Sequence, residues 1–221
     1  MYAQAPQFVS QRPRYRDRED AADQLVDALR PHLNGDGLIL AIPRCAVPMG
    51  ARIAQALGAT LDIVLVRKLG APYNPEYGLG AIDEDGLVTL GPETAHLQGS
   101  AWLEAEAKRQ LALIRARRTL YASERMAPPI SGRTVVVVDD GLATGVTMIA
   151  ALDWVRRRGP GQLIALTPVG SAEAVEWARS HADRVICPWR PAAFGGVSAF
   201  YRNFPQVEDE QVIASLKAHS P

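Results

Sequence analysis

Apolar positions along the chain switch repeatedly between two rhythms, and each switch marks an element. Over residues 17–29, Ala21, Ala22, Leu25, Val26 and Leu29 recur at helical spacing, and Pro31 with Gly35-Asp-Gly37 ends that helix. Residues 38–42 form a short unbroken apolar run, which reads as a strand buried on both faces. Residues 47–57 return to helical spacing and stop at Gly58, and 61–66 are a second buried run. Helix, strand, helix, strand in that order predicts parallel β-α-β units. Between Leu79 and Leu90 two short runs flank Asp85-Gly86, a hairpin signal. A long helix follows over 102–121, with Leu103, Ala107, Leu111 and Ile114 on one face, and Pro128-Pro129 and Gly132 break the pattern after it. The rest reads as a strand over 134–138, a helix over 144–157, strands over 162–166 and 184–187 around a helix over 172–179, and a short amphipathic helix over 208–218.

Composition narrows the class. With 221 residues the chain fits one domain with a sizeable core. The 24 basic and 24 acidic residues cancel, so no broad positive field points to nucleic acid, and no basic helix points to a membrane surface. Cys45 and Cys187 are too few and too far apart for a disulfide framework or a zinc knuckle, and read as reduced thiols. No basic start with an apolar run opens the chain, and no apolar stretch is long enough to span a bilayer. The expectation is a soluble, cytoplasmic protein. Residues 1–15, rich in Gln, Pro and Arg, read as a loose arm. His32, His96, His181 and His219 form no pattern and are expected at the surface.

The chemistry concentrates in Val135-Val-Val-Val-Asp-Asp-Gly-Leu-Ala-Thr-Gly-Val-Thr147. Consecutive valines suit a central strand, and parallel sheets bind ligands at the carboxyl ends of their strands, where Asp139 and Asp140 stand. Gly141, Ala143, Thr144 and Gly145 let backbone approach a ligand closely, and they lead into a helix start whose unpaired N–H groups suit a phosphate. Thr144 and Thr147 add hydroxyls. A carboxylate pair beside a phosphate cradle suits a ligand with hydroxyls at one end and phosphate at the other, the shape of ribose 5-phosphate. The plain alternative is an ordinary α/β connection with Thr144 as helix N-cap. The string is neither a Walker A loop nor a GxGxxG turn.

This string resembles the PRPP-binding motif of the type I phosphoribosyltransferases, and the resemblance runs from about Tyr15 to Phe204. It implies an α/β fold with a mainly parallel five-stranded sheet flanked by helices, a small hood and a flexible hairpin or lid, matching the five buried runs. One domain would cover 1–204, with the hood at 188–204 and a C-terminal helix within 205–221. Asp139 and Asp140 would bind the ribose hydroxyls and steady positive charge at the anomeric carbon. Leu142, Ala143, Thr144, Gly145, Val146 and Thr147 would wrap the 5-phosphate. The loop Ala41-Ile-Pro-Arg-Cys-Ala-Val-Pro-Met-Gly50 resembles the pyrophosphate loop of a bacterial branch reading Pro-Arg-Gly-Gly-Val-Pro, which assigns Arg44 and Cys45 to pyrophosphate. Cys45 and Ala46 replace the two glycines, and a backbone needing positive φ would resist both. Arg67-Lys68, read as the end of the second strand, stands where the family places a basic residue against pyrophosphate, and Lys68 is assigned that role.

The implied reaction transfers ribose 5-phosphate from PRPP to a nitrogenous base or related nitrogen acceptor and releases pyrophosphate. Mg²⁺ would arrive with PRPP, as no His/Cys cluster offers a resident metal site. Partners are then PRPP and a small acceptor, without nucleic acid or membrane, in a homo-oligomer. At Ala143 the 6-oxopurine branch carries a proton-handling aspartate, so the substitution disfavours a 6-oxopurine; Leu-Ala-Thr-Gly looks like the uracil branch. Trp189, Phe200 and Tyr201, with Phe194, could stack on a flat acceptor or simply pack the hood. Asn203 reads as a turn residue, residues 91–99 as the lid, and Arg109, Arg115, Arg117 and Arg118 as a solvated helix face. The competing class is a non-catalytic PRPP-binding regulatory protein, motivated by Cys45-Ala46.

Overall fold

A computed structural model describes residues 14–33, 36–71, 74–122 and 126–219. Five parallel strands, β1 (Leu38–Ala41), β2 (Thr60–Ile63), β6 (Thr134–Val138), β7 (Gln162–Leu166) and β8 (Arg184–Ile186), form one sheet in the order β2-β1-β6-β7-β8. A second, antiparallel sheet holds β3 (Arg67–Ala71), β4 (Asn74–Ile82) and β5 (Val88–Leu90). The helices are α1 (Arg18–Leu29), α2 (Val47–Leu57), α3 (Ala101–Ala122), α4 (Val146–Arg156), α5 (Ala172–Arg179) and α6 (Asp209–Ala218).

Alternation along the unbroken apolar runs divides the core. Ile39, Ala41, Val136, Val138, Ile164 and Leu166 face α1, α2 and the hood, and Leu38, Leu40, Val135, Val137, Leu163 and Ala165 face α4 and α5. Each valine, leucine or isoleucine among them, buried from a chain in water, contributes about 1.5–3 kcal/mol, which holds both helical layers to the sheet. Helix α2 ends at Gly58 in the left-handed region (φ 65°), as its position after Leu57 predicts.

Strand order fixes where a ligand fits. From β1 the chain passes out to β2 at one edge, while β6 continues to β7 and β8 on the other side. The loops after β1 and β6 therefore diverge above two adjacent strand ends, Ala41 and Val138 being register partners. This is the crevice in which open parallel sheets take ligands.

Several boundaries differ from the sequence reading. The strand expected over 61–66 leaves the ladder after Ile63, although Val64, Leu65 and Val66 stay buried, because the chain is crossing to the second sheet. Arg67 and Lys68 accordingly open β3 rather than close β2. The hairpin around Asp85-Gly86 is present as β4–β5: buried Asp83 accepts the N–H groups of Asp85 and Leu87, both at 2.9 Å, and pairs with Arg157. The expected loose arm falls mostly on residues 1–13, outside the described residues, whereas its last residue, Tyr15, is buried. Among the described residues no helix is long and apolar enough to cross a membrane.

Candidate active site

The crevice opens into a cleft of about 860 Å³. Its floor is Asp139 and Asp140, one wall is the loop Ile42–Cys45, another is β3, and α3 closes the far side. A smaller hollow of about 140 Å³ adjoins it, lined by Gly141 to Thr147 and by Lys68, which belongs to both. The sequence string thus becomes one continuous surface: carboxylates in the larger space, loop backbone in the smaller.

The cradle departs from expectation at its ends. Helix α4 starts at Val146, not Thr144, with Gly145 as N-cap at φ 81°. A side chain at Gly145 would be strained there, and its Cβ would also lie 3.1 Å from Ala174 Cβ. Thr144 makes no cap and is exposed, leaving its hydroxyl available. Leu142 is buried, its N–H donates to Val169 O at 2.9 Å and its carbonyl accepts from Ser171 N–H at 2.9 Å. It secures the loop from behind. The first-turn N–H groups of α4 remain for an anion.

The loop after β1 carries Cys45 and Ala46 without strain. No non-glycine described residue has positive φ, and Ala46 sits at φ −82°, ψ −10°. The concern over the replaced glycines therefore lapses: this backbone never needs the left-handed region. The Pro43–Arg44 peptide is cis. Arg44 lies at the cleft edge and reaches Glu208 at 3.4 Å and Asp209 at 3.7 Å, at the start of α6. Burial pushes the Cys45 thiol up, and the charge of Asp140 adds to it, so this sulfur is a poor nucleophile.

The cationic wall is broader than the sequence suggested. Arg67, half-buried, donates to the neutral amide of Gln110; burial lowers its affinity for a proton, followed by the charges of Arg117 and Arg109. Arg109 and Arg117, expected on a solvated face, line the cleft, and Arg118 pairs with Glu84. Arg109 is matched by Glu106 at 2.7 Å, whereas Arg117 has no ion pair among the described residues. Arg67 and Arg117, both lining the cleft without a matching carboxylate among the described residues, favour an anion between them.

Gly78 of β4 makes room for Lys68: a Cβ there would stand 2.7 Å from Lys68 Cδ. Gly78→Ala should displace that flexible stem without disturbing the sheet. It is expected to weaken binding of inorganic pyrophosphate in the cleft by roughly tenfold with an unchanged melting temperature. Titration calorimetry beside a melting curve checks this, and unaltered affinity would remove Lys68 from the site.

The aromatic candidates are packed together. Phe200 and Tyr201 are buried, Trp189 meets Phe200 edge-on at 4.8 Å, and Tyr15 lies 5.5 Å from Tyr201. Tyr201 Oη donates to the Asp140 carbonyl at 2.6 Å and Tyr15 Oη to Pro168 O at 2.8 Å. Their assignment to an acceptor is thus replaced by hood packing, which holds the motif loop from behind. Asn203 is exposed, with its N–H on Arg16 O at 2.9 Å. The expected lid, 91–99, contains a 3-10 turn at Pro92–Leu97, secured by buried Thr94 on the Gly91 carbonyl at 3.0 Å. His181 meets Asp153 at 2.6 Å, away from the cleft.

One residue of the site escaped the sequence reading. Arg18, in the first turn of α1 and only 7% exposed, donates from Nε to Asp140 Oδ2 at 2.9 Å. Beside this clamp, the cradle and the cationic wall, comparison with known proteins decides the family: residues 10–201 match the phosphoribosyl transferase domain. The chain belongs to that family. It is 38% identical over 207 residues to a Mycobacterium tuberculosis protein bearing the phosphoribosyl transferase name, covering 92% of this chain and 46% of that protein. A solved structure from Thermus thermophilus is 41% identical, with a TM-score of 0.79, covering 94% of this chain and 100% of that one. A uracil phosphoribosyltransferase of Streptomyces avermitilis is 39% identical over 102 residues, 45% of this chain and 42% of that protein. The chain spans about half the length of the curated relatives it matches. Its five parallel strands and flanking helices are the type I phosphoribosyltransferase fold.

Within this domain the two motif aspartates differ sharply. Asp140 is buried and ion-paired; Asp139 is part-exposed, and its Oδ1 accepts the Asp140 N–H at 2.9 Å. Burial raises Asp139 well above the ordinary carboxylate range, and the charge of Asp140 raises it further. Burial also raises Asp140, but Arg18 opposes it.

Proposed function

We propose that the protein is a phosphoribosyltransferase that moves ribose 5-phosphate from PRPP to a nitrogen acceptor and releases pyrophosphate. One observation carries the reading: a small N–H-lined cradle adjoins an arginine-rich cleft whose floor is the carboxylate pair. That sequence of surfaces matches 5-phosphate, ribose and pyrophosphate along PRPP.

In this reading the cradle at 143–147 takes the 5-phosphate, and Lys68 bridges cradle and cleft. Arg44, Arg67 and Arg117 draw on the pyrophosphate, stabilising negative charge as the bond from C1 to oxygen breaks. The part-exposed carboxylate of Asp139 faces the ribose and offsets the positive charge growing at C1. The acceptor nitrogen then bonds to C1 and gives up its proton to solvent as the C1–oxygen bond to pyrophosphate breaks. Orientation and fixed charge supply the rate, without a covalent intermediate on the chain. Magnesium would come with PRPP on its phosphate oxygens and neutralise the leaving group.

Ala143 offers no carboxylate for a purine proton, and the partial match to uracil enzymes points the same way. Pyrimidines therefore lead the acceptor panel, ahead of 6-oxopurines. The regulatory alternative loses its motive, since Cys45 and Ala46 fit the loop unstrained.

The test is a thermal-shift screen with Mg²⁺, PRPP and bases, followed by assay of radiolabelled nucleotide. PRPP at a hundred times its Kd adds roughly 2.7 kcal/mol, a readable shift. Stabilisation by PRPP with no nucleotide from any base would revive the regulator; no stabilisation would sink the proposal. Arg67→Gln and Arg117→Gln should each weaken pyrophosphate binding roughly tenfold and leave ribose 5-phosphate binding unchanged. Equal loss for both ligands would argue against separate phosphate ends.

A further inference from the structure

Asp140 has four polar neighbours. Asp140 is faced by Arg18 of α1, Cys45 of the loop after β1, Tyr201 of the hood, and Asp139 beside it. Only Arg18 is a cation. Its guanidinium makes two further contacts, both with the hood's end: Nη1 donates to Pro205 O at 2.6 Å, and Cζ lies 3.7 Å from the centre of the Phe204 ring. Tyr201, three residues earlier, bonds the Asp140 carbonyl. One side chain thus joins α1, the motif and the hood.

Two adjacent carboxylates in poorly solvated surroundings resist being ionised together, and a single fixed cation decides which ionises first. Here that cation touches Asp140 alone. Asp139 accepts the backbone N–H of its neighbour, has no ion pair among the described residues, and lines the cleft.

We propose that Arg18 is a positioning residue that splits the work of the two aspartates, fixing Asp140 as a standing anion tied to the hood and leaving Asp139 as the carboxylate presented to the ribose hydroxyls. The ribose half of this statement rests on the function proposed above; the charge division does not. A planar guanidinium suits the task, because it can bond Asp140 and Pro205 while its face rests on Phe204, which an ammonium group cannot reproduce.

The experiment titrates the Asp139 and Asp140 carboxyl carbons by NMR in the ligand-free full chain, assigned with D139N and D140N. Asp140 should ionise at lower pH than Asp139. In R18Q the Asp140 midpoint should rise by roughly one pH unit or more, while R18K restores part of that shift. If R18Q folds poorly, R18Q/D140N removes the buried carboxylate together with its partner and should fold better than R18Q alone. Equal midpoints in the native chain, an unmoved Asp140 in R18Q, or no better folding of the double variant would each overturn the division. PRPP calorimetry on the same proteins then separates the two ideas. D139N should lose PRPP affinity more than tenfold, and R18Q should shift the pH midpoint of binding upward. A native chain that titrates as expected but binds no PRPP would overturn the functional reading and leave the charge division standing. PRPP binding that falls equally in D139N and D140N, with an unshifted pH midpoint in R18Q, would reduce Arg18 to a structural tie.

Discussion

Asp139→Asn is expected to lower turnover roughly 100-fold or more while the melting temperature at neutral pH holds or rises. The two halves of this result have one cause. Asp139 is a carboxylate with no ion pair of its own among the described residues, and burial, followed by the charge of Asp140, raises its proton affinity well above the usual range. A group whose folded-state pKa exceeds its unfolded value contributes stability while protonated. That contribution is lost as pH rises from the ordinary carboxylate range through the raised value. At neutral pH that raised proton affinity therefore burdens the fold. Asparagine is close in shape, carries no charge, and can still accept the Asp140 N–H through its oxygen. It should relieve the burden and lose the charge that faces C1. Melting curves between about pH 4 and pH 8, beside turnover with the active acceptor, check both halves. The native chain should gain on the variant as pH falls. A variant that loses activity and unfolds early at every pH would mark Asp139 as structural.

That prediction could not be made from the motif alone, where the two aspartates look alike. The sequence shows what continuous runs and turn chemistry encode. Four buried valines announce β6, Gly58 ends α2, and Asp85-Gly86 closes the β4–β5 hairpin. Small residues between strand and helix likewise announce the phosphate cradle. Strand β3 stays hidden because Arg67-Lys-Leu-Gly-Ala71 is short and half-buried, and its pairing with β4 gives no unbroken apolar run. The expected strain at Cys45-Ala46 presumed that the relatives' glycines mark a left-handed backbone, which this loop does not use. Arg109 and Arg117 looked solvated because α3 has polar residues on most sides, and only the position of β3 shows which side meets the cleft. Arg18 was invisible for a plainer reason: it meets Asp140 across 122 positions of sequence. Nothing near Arg18 marks it, since an arginine in a first helical turn beside Glu19 and Asp20 reads as ordinary surface charge.

Asp140→Asn should behave oppositely to its neighbour and cost about 3–5 kcal/mol of folding stability. The amide would leave the Arg18 guanidinium, with 8% of its side chain exposed, facing a neutral group. Losing one partner of a buried pair costs far more than the pair contributes, because the remaining charge stays desolvated. The Pro205 carbonyl and the Phe204 face would still hold Arg18 in place, so it cannot simply swing into water. The hood should loosen with it, since Tyr201 and Arg18 both bind residue 140. Urea unfolding of D139N and D140N at one pH, in low and high salt, measures the contrast. Screening by salt should leave the D140N penalty almost unchanged, because a buried pair lies beyond the reach of mobile ions. A loss below about 1 kcal/mol, or one that salt erases, would make the Arg18–Asp140 contact a solvated surface pair and remove the physical basis for treating the two aspartates differently.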